Sequence, residues 1–178
     1  MVSVFLLVLP ALFVFQIQEG KTWSERLILP DLEQTIPRHT PRFTEGMYLP
    51  PQIIGTKIIT KDQSPVLLST TTTITPGAML TIEPGTTIYA SEFASLIVEG
   101  KLVADQVIFT TNELHPLNQL WNGLIVKQGG QMTIKNASIE YASPGISCLM
   151  NSSVTISKTK ITHTATDIFN EGTTCHVQ

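Results

Sequence analysis

Residues 131–141 read QMTIKNASIEY and residues 153–163 read SVTISKTKITH. Laid over one another, Met132-Thr133-Ile134 falls on Val154-Thr155-Ile156 and Ile139 falls on Ile161, at a spacing of about 22 residues. In the same way Gly145-Ile146 lies between Gly123-Leu124 and Asp167-Ile168. Upstream, Leu102, Val107 and Phe109 fall on Ile134, Ile139 and Tyr141 at a shift of about 32, the excess being absorbed by one insertion near residues 112–119 (NELHPLNQ). Further back, Ile82 and Tyr89 fall on Leu102 and Phe109 at a shift of about 20. A repeat of one coil with a loop inserted at one corner produces this arithmetic.

A repeat of this length implies a solenoid. Each coil holds three short strands and three turns, and each strand pairs in parallel with its counterpart one coil later. Equivalent positions then stack about 4.8 Å apart. Inward positions form apolar rows, here expected as Ile82/Leu102/Ile134/Ile156 and Val107/Ile139/Ile161. One coil buries little alone, and the core arises from stacking. The runs between these anchors are short, rich in Val, Ile and Thr, and broken by Gly, Pro, Asn and Asp, as strands are. No stretch carries a helical period, which excludes βαβ folds. An antiparallel sandwich also has many short strands but gives no reason for core positions to recur at fixed spacing. The expected fold is therefore all-β: a right-handed parallel β-helix of about five coils over residues 53–178, behind a poorly ordered N-terminal segment.

Composition narrows the partners, and the N-terminal run points to secretion. Charged residues make up only 14 % of the 178 and the formal net charge is −3, so nothing is basic enough to imply a nucleic-acid partner. Residues 1–15 (MVSVFLLVLPALFVF) hold no charged side chain. The run is short of the roughly 20 apolar residues a membrane span needs, and it reads as the apolar part of a signal peptide over residues 1–18. A membrane partner then enters only through a larger full-length chain or an uncleaved signal anchor. Residues 19–52 carry Pro30, Pro37, Pro41, Pro50 and Pro51 without a sustained period, and read as an extended segment, partly ordered at best. The chain stops inside a repeat without a polar cap, the expectation for a fragment or an edge covered by a partner.

The order of motifs then suggests a family. Residues 77–89 (GAMLTIEPGTTIY) resemble the opening coil of right-handed β-helix proteins of the pectin-lyase-like superfamily. Residues 95–104 (SLIVEGKLVA) are similar to the coil that follows, and residues 107–111 (VIFTT), 121–126 (WNGLIV) and 137–142 (ASIEYA) to later strands of that fold. The resemblance spans about residues 64–172 and implies the fold more than a function, since that superfamily includes lyases, hydrolases, adhesins and junction proteins. Within it, the combination of a signal and such coils is similar to an N-terminal piece of the bark beetle (Anakonda) junction proteins, which implies a role in cell–cell contact.

The residues offer little catalytic chemistry. Glycoside cleavage needs two carboxylates facing one bond, and the Asp residues of the repeat region, Asp62, Asp105 and Asp167, are scattered at turn-like positions. No Arg follows Arg42. Glu113 and His115 lie beside Trp121 on the inserted loop, which reads as a solvated corner with Trp121 packed beneath it. His163 aligns with Phe109 and Tyr141, as a ring in a stack. His39 and His176 stand alone, and no Cys/His spacing matches a zinc site. Thr70–Thr73 and Thr173–Thr174 suit outward strand positions. Cys175 aligns with Ser153 rather than Cys148, so Cys148 is expected as a small core residue and Cys175 as exposed, with a bridge between them the less favoured outcome. Asn136-Ala137-Ser138 and Asn151-Ser152-Ser153 are glycosylation patterns, and equally suit Asn at tight turns. No catalytic residue, metal or cofactor is expected. The functional expectation is an extracellular binding or adhesion module with a protein or glycan partner at the cell surface. A carbohydrate-active or glycan-binding β-helix is the alternative.

Overall fold

A computed structural model describes residues 40–116, 120–172 and 175–177, all within the unit His39–Gln178. The signal-like residues 1–18 and the segment 19–39 lie outside these, as do Thr173 and Thr174.

The described chain is a parallel β-solenoid. The first coil comprises β1 (Met47–Tyr48), β2 (Gln52–Ile53) and β3 (Thr56–Ile59), and the second β4 (Val66–Leu68), β5 (Thr72–Ile74) and β6 (Met79–Ile82). The third holds β7 (Thr87–Ala90), β8 (Leu96–Val98) and β9 (Lys101–Asp105), and the fourth β10 (Ile108–Thr111), β11 (Leu124–Val126) and β12 (Gln131–Lys135). The fifth holds β13 (Ser138–Glu140), β14 (Ile146–Cys148) and β15 (Ser153–Ser157), and the sixth β16 (Lys160–Thr162), β17 (Ile168–Asn170) and β18 (Cys175–Val177). Every third strand pairs in parallel, giving three six-stranded sheets: the first from β1 to β16, the second from β2 to β17, the third from β3 to β18. Ile134 pairs with Ile156 and Ile139 with Ile161.

Six coils form where the sequence suggested about five, because β1 precedes the expected start at Ile53 and β2 straddles it. Each is two residues long and Pro50-Pro51 separates them, so neither shows the alternation by which a strand is recognised.

The core rows differ from the expected ones by a two-residue slip. In the third sheet Leu80, Leu102, Met132 and Val154 form one row, and Ile59, Ile82, Ala104, Ile134 and Ile156 the other. In the first sheet Val66, Ile88, Phe109, Ile139 and Ile161 stack. Leu102 is thus not in the row of Ile134, and Phe109, not Val107, precedes Ile139. The cause is period 2. A slip of two residues keeps every apolar side chain facing inward, so burial alone cannot set the register between coils. Leu102, Val107, Ile134 and Ile139 are all fully buried.

The corners bend through single left-handed residues. Gln106, Asn136 and Lys158 (φ 54°, 50° and 48°) follow the third-sheet strands of three successive coils. Asn tolerates this conformation, while Gln and Lys adopt it only because the coil above and below fixes the bend. The longest corner, between β10 and β11, is the insertion read in the sequence.

Candidate functional site on the outer face of the first sheet

The outward row of the first sheet is Tyr48, Leu67, Tyr89, Thr110, Glu140 and Thr162, and beside it run Thr87, Ile108, Ser138 and Lys160. The second sheet instead turns Thr73, Ile97, Ile125, Ser147 and Phe169 outward, and the third turns out Thr81, Val103, Thr133 and Thr155. The third sheet also shows Lys101, Asp105 and Lys135 at its strand ends; what sets the first sheet apart is tyrosine rings and the Glu140 carboxylate in one outward row.

Its lower half is polar and partly exposed, with Thr110 buried. Glu140 accepts from Thr110 Oγ1 at 3.1 Å through one carboxylate oxygen and from Ser138 Oγ at 2.9 Å through the other. Both hydroxyls are on strands, so the carboxylate is held in one orientation. The indole of Trp121, 1 % exposed, donates to the Glu140 carbonyl at 2.8 Å and locks the backbone beneath it. At the corner that follows, Tyr141 and His163 (φ 60° and 57°) stack with ring centroids 4.6 Å apart and planes 13° from parallel. His163 thus joins a stack with Tyr141, while Phe109 belongs to the core row of Ile139.

In the upper half Tyr89 is covered by residues 42 and 43, while Tyr48 remains exposed. Pro41 bridges Glu113 antiparallel, and the Phe43 ring packs on Tyr89 with centroids 4.6 Å apart. Glu113, expected in a solvated corner, is 9 % exposed for this reason, whereas His115 is exposed. The segment once read as partly ordered at best is, from Thr40 onward, part of the structure.

The remaining candidates are dispersed. Asp62 sits in a 3-10 turn (Lys61–Gln63), Asp105 accepts from Asn136 Nδ2 at 2.8 Å, and Asp167 accepts from Thr164 Oγ1. Asp105 pairs opposite Lys135. Among the described residues no group of three His, Cys, Asp or Glu could hold a metal. Thr72 points inward, 1 % exposed, and donates to the Pro50 carbonyl at 2.9 Å, so Thr70–Thr73 is not one outward strip. Asn136 and Asn151 (φ 50° and 61°) are exposed at corners, and His176 is exposed on β18. His39 lies outside the described residues.

Cys148 lies in the core as expected, but the less favoured outcome holds for the pair: Cys148 and Cys175 form a disulfide, with Cα atoms 6.0 Å apart, and Cys175 is partly buried rather than exposed. Alignment along one row hid this, because Cys175 pairs opposite Val154 in the third sheet while Cys148 ends β14 in the second. The turn between β14 and β15 brings the two inner faces together, and the bond crosses from one coil to the next.

The sequence pointed to a ring stack of Tyr141 and His163, which forms, but did not single out Glu140 or Thr110, although alternation along β13 places Glu140 outward. Asn112 and Phe43 meet across 69 positions, beyond any local signal. No protein-family model matches this chain, nor does any curated protein or solved structure.

Proposed function

We propose that this chain is an extracellular, non-catalytic β-solenoid module that binds a protein or glycan partner at the cell surface, in cell–cell or cell–matrix contact, and that it belongs with the right-handed β-helix proteins of the pectin-lyase-like superfamily. The observation that carries the reading is the Cys148–Cys175 bond between coils. Disulfides form and persist in oxidising compartments, which agrees with the signal-like residues 1–15 and with two glycosylation patterns at exposed corners. The motif order of residues 77–142 supports the superfamily, and the polar outer face of the first sheet supplies a surface for a partner.

One observation favours the second reading, a carbohydrate-active or glycan-binding β-helix. The Glu140 carboxylate, held in one orientation, belongs to the residue before Tyr141, whose ring stacks on His163, and an oriented carboxylate is a strong acceptor for sugar hydroxyls.

Expression of the full chain in a eukaryotic secretory host separates these readings. We expect protein in the medium, a Cys148–Cys175 peptide pair in non-reduced digests, and no new reducing or unsaturated ends on polygalacturonate or alginate. Intracellular protein with both thiols open to alkylation would overturn the extracellular role. New ends that vanish on Glu140→Gln would replace the binding role with an enzymatic one.

A further inference from the structure

The contact between residues 40–43 and the inserted loop is built as a recognition site. Asn112 is 7 % exposed, and its amide reads the backbone of a single residue in both directions. Its Oδ1 accepts from the Phe43 N–H at 3.0 Å and its Nδ2 donates to the Phe43 carbonyl at 2.8 Å. Main-chain bonds extend the register on either side: the Arg42 N–H donates to the Asn112 carbonyl at 2.6 Å, and the Leu114 N–H to the Thr40 carbonyl at 2.9 Å. This is strand addition, in which backbone bonds give affinity and side-chain pockets give selectivity. The selective part is aromatic and basic. Phe43 packs against Tyr89 with planes 56° apart, the Arg42 guanidinium lies 5.8 Å from the same ring centroid, and its Nη2 reaches the Glu113 carbonyl at 3.5 Å. A cation at that distance from a tyrosine face is attracted by the ring quadrupole.

We propose that Asn112–Leu114 with Tyr89 forms a site for an extended Pro-Arg-aromatic segment, and that its partner in trans is the Thr40–Phe43 segment of a second copy of this chain. The segment that fills the site in cis joins β1 through Thr44, Glu45 and Gly46, all exposed. Exchange between two copies replaces each contact by an identical one, so the balance is set by the entropy of association rather than by lost bonds. A four-residue segment gives weak association for one pair, and clustered copies on a surface multiply it. The inference names a partner for the binding role proposed above and rests on that role for its biological setting. The site itself is testable in purified protein from any host.

Three full-length proteins test it: an acceptor with Arg42→Pro and Phe43→Pro, which removes both side chains and both N–H donors from the segment and keeps Asn112; a donor with Asn112→Ala, which keeps the segment; and the acceptor carrying Asn112→Ala as well. Circular dichroism confirms that each is folded. A labelled peptide of residues 40–46 is expected to bind the acceptor at least roughly tenfold more tightly than it binds wild type, whose site is filled, or the triple variant. In sedimentation equilibrium a donor–acceptor mixture is expected to form heterodimers, and each variant alone to remain monomeric. Peptide binding that is absent, or that ignores Asn112→Ala, overturns the site. Peptide binding with a monomeric mixture overturns the second copy as its partner. Neither result bears on secretion or oxidation, which the experiment on the proposed function reads separately.

Discussion

Thr86 is completely buried, and among the described residues its hydroxyl finds no hydrogen-bond partner. A desolvated hydroxyl without a partner is a cost that an isosteric methyl removes. Thr86→Val is therefore expected to raise stability by about 1 kcal/mol, read as a higher urea midpoint with an unchanged slope. Gly123 stands at the opposite extreme. Its φ is 72°, and an added Cβ would lie 2.0 Å from the Pro144 carbonyl oxygen and 2.6 Å from that of Gly145. The corner of the fourth coil thus rests directly on the backbone of the fifth. Gly123→Ala must shift one coil against the next and is expected to cost about 2–4 kcal/mol, checked by the same denaturation curves. The Gly of the Trp-Asn-Gly motif is visible in the sequence. Its reason, a neighbouring coil at contact distance, is a property of stacking that no single repeat contains.

At the scale of elements, the last coil is held from one side only. β16, β17 and β18 are the edge strands of their sheets in the described structure, and Ile161, Ile168 and Cys175 are only partly buried. The disulfide ties β18 to the end of β14, a coil earlier. Closing a loop across 27 positions stabilises by about 3.5 kcal/mol in the chain-entropy account. Reduction is expected to act locally. Amide exchange should accelerate in β18 and along β15, whose outer edge β18 covers, while β9 and β12 keep their protection. Equal acceleration in all coils would show instead that the bond supports the whole fold. The sequence located both cysteines on or near strands but missed their meeting, because repeat alignment compares positions along one sheet and this bond joins two.

For the molecule as a whole, the parallel solenoid was legible because the Met132–Ile139 and Val154–Ile161 segments lie one coil apart with no insertion between them. The earlier coils were legible only to within two residues, since inward and outward positions survive a slip of that size. The outer face of the first sheet was least legible: the contact of Arg42 and Phe43 with Asn112 and Tyr89 depends on a segment that folds back over the third and fourth coils. The inward and outward faces of the third sheet are open to a direct test at one position of each kind. Ile134 is fully buried between Ala104 and Ile156, whereas Ile58, also in the third sheet, is 55 % exposed on the outer face. Ile134→Ala removes three carbons from a stack whose neighbours are fixed by parallel pairing and cannot close the gap. It is expected to cost about 2–5 kcal/mol, with Ile58→Ala within about 0.5 kcal/mol of wild type. Because each coil contacts only those beside it, the loss at Ile134 should also divide the molecule, with exchange rising in β9, β12 and β15 before β3. Similar costs at the two isoleucines would mean that the inward and outward faces of the third sheet are wrongly assigned.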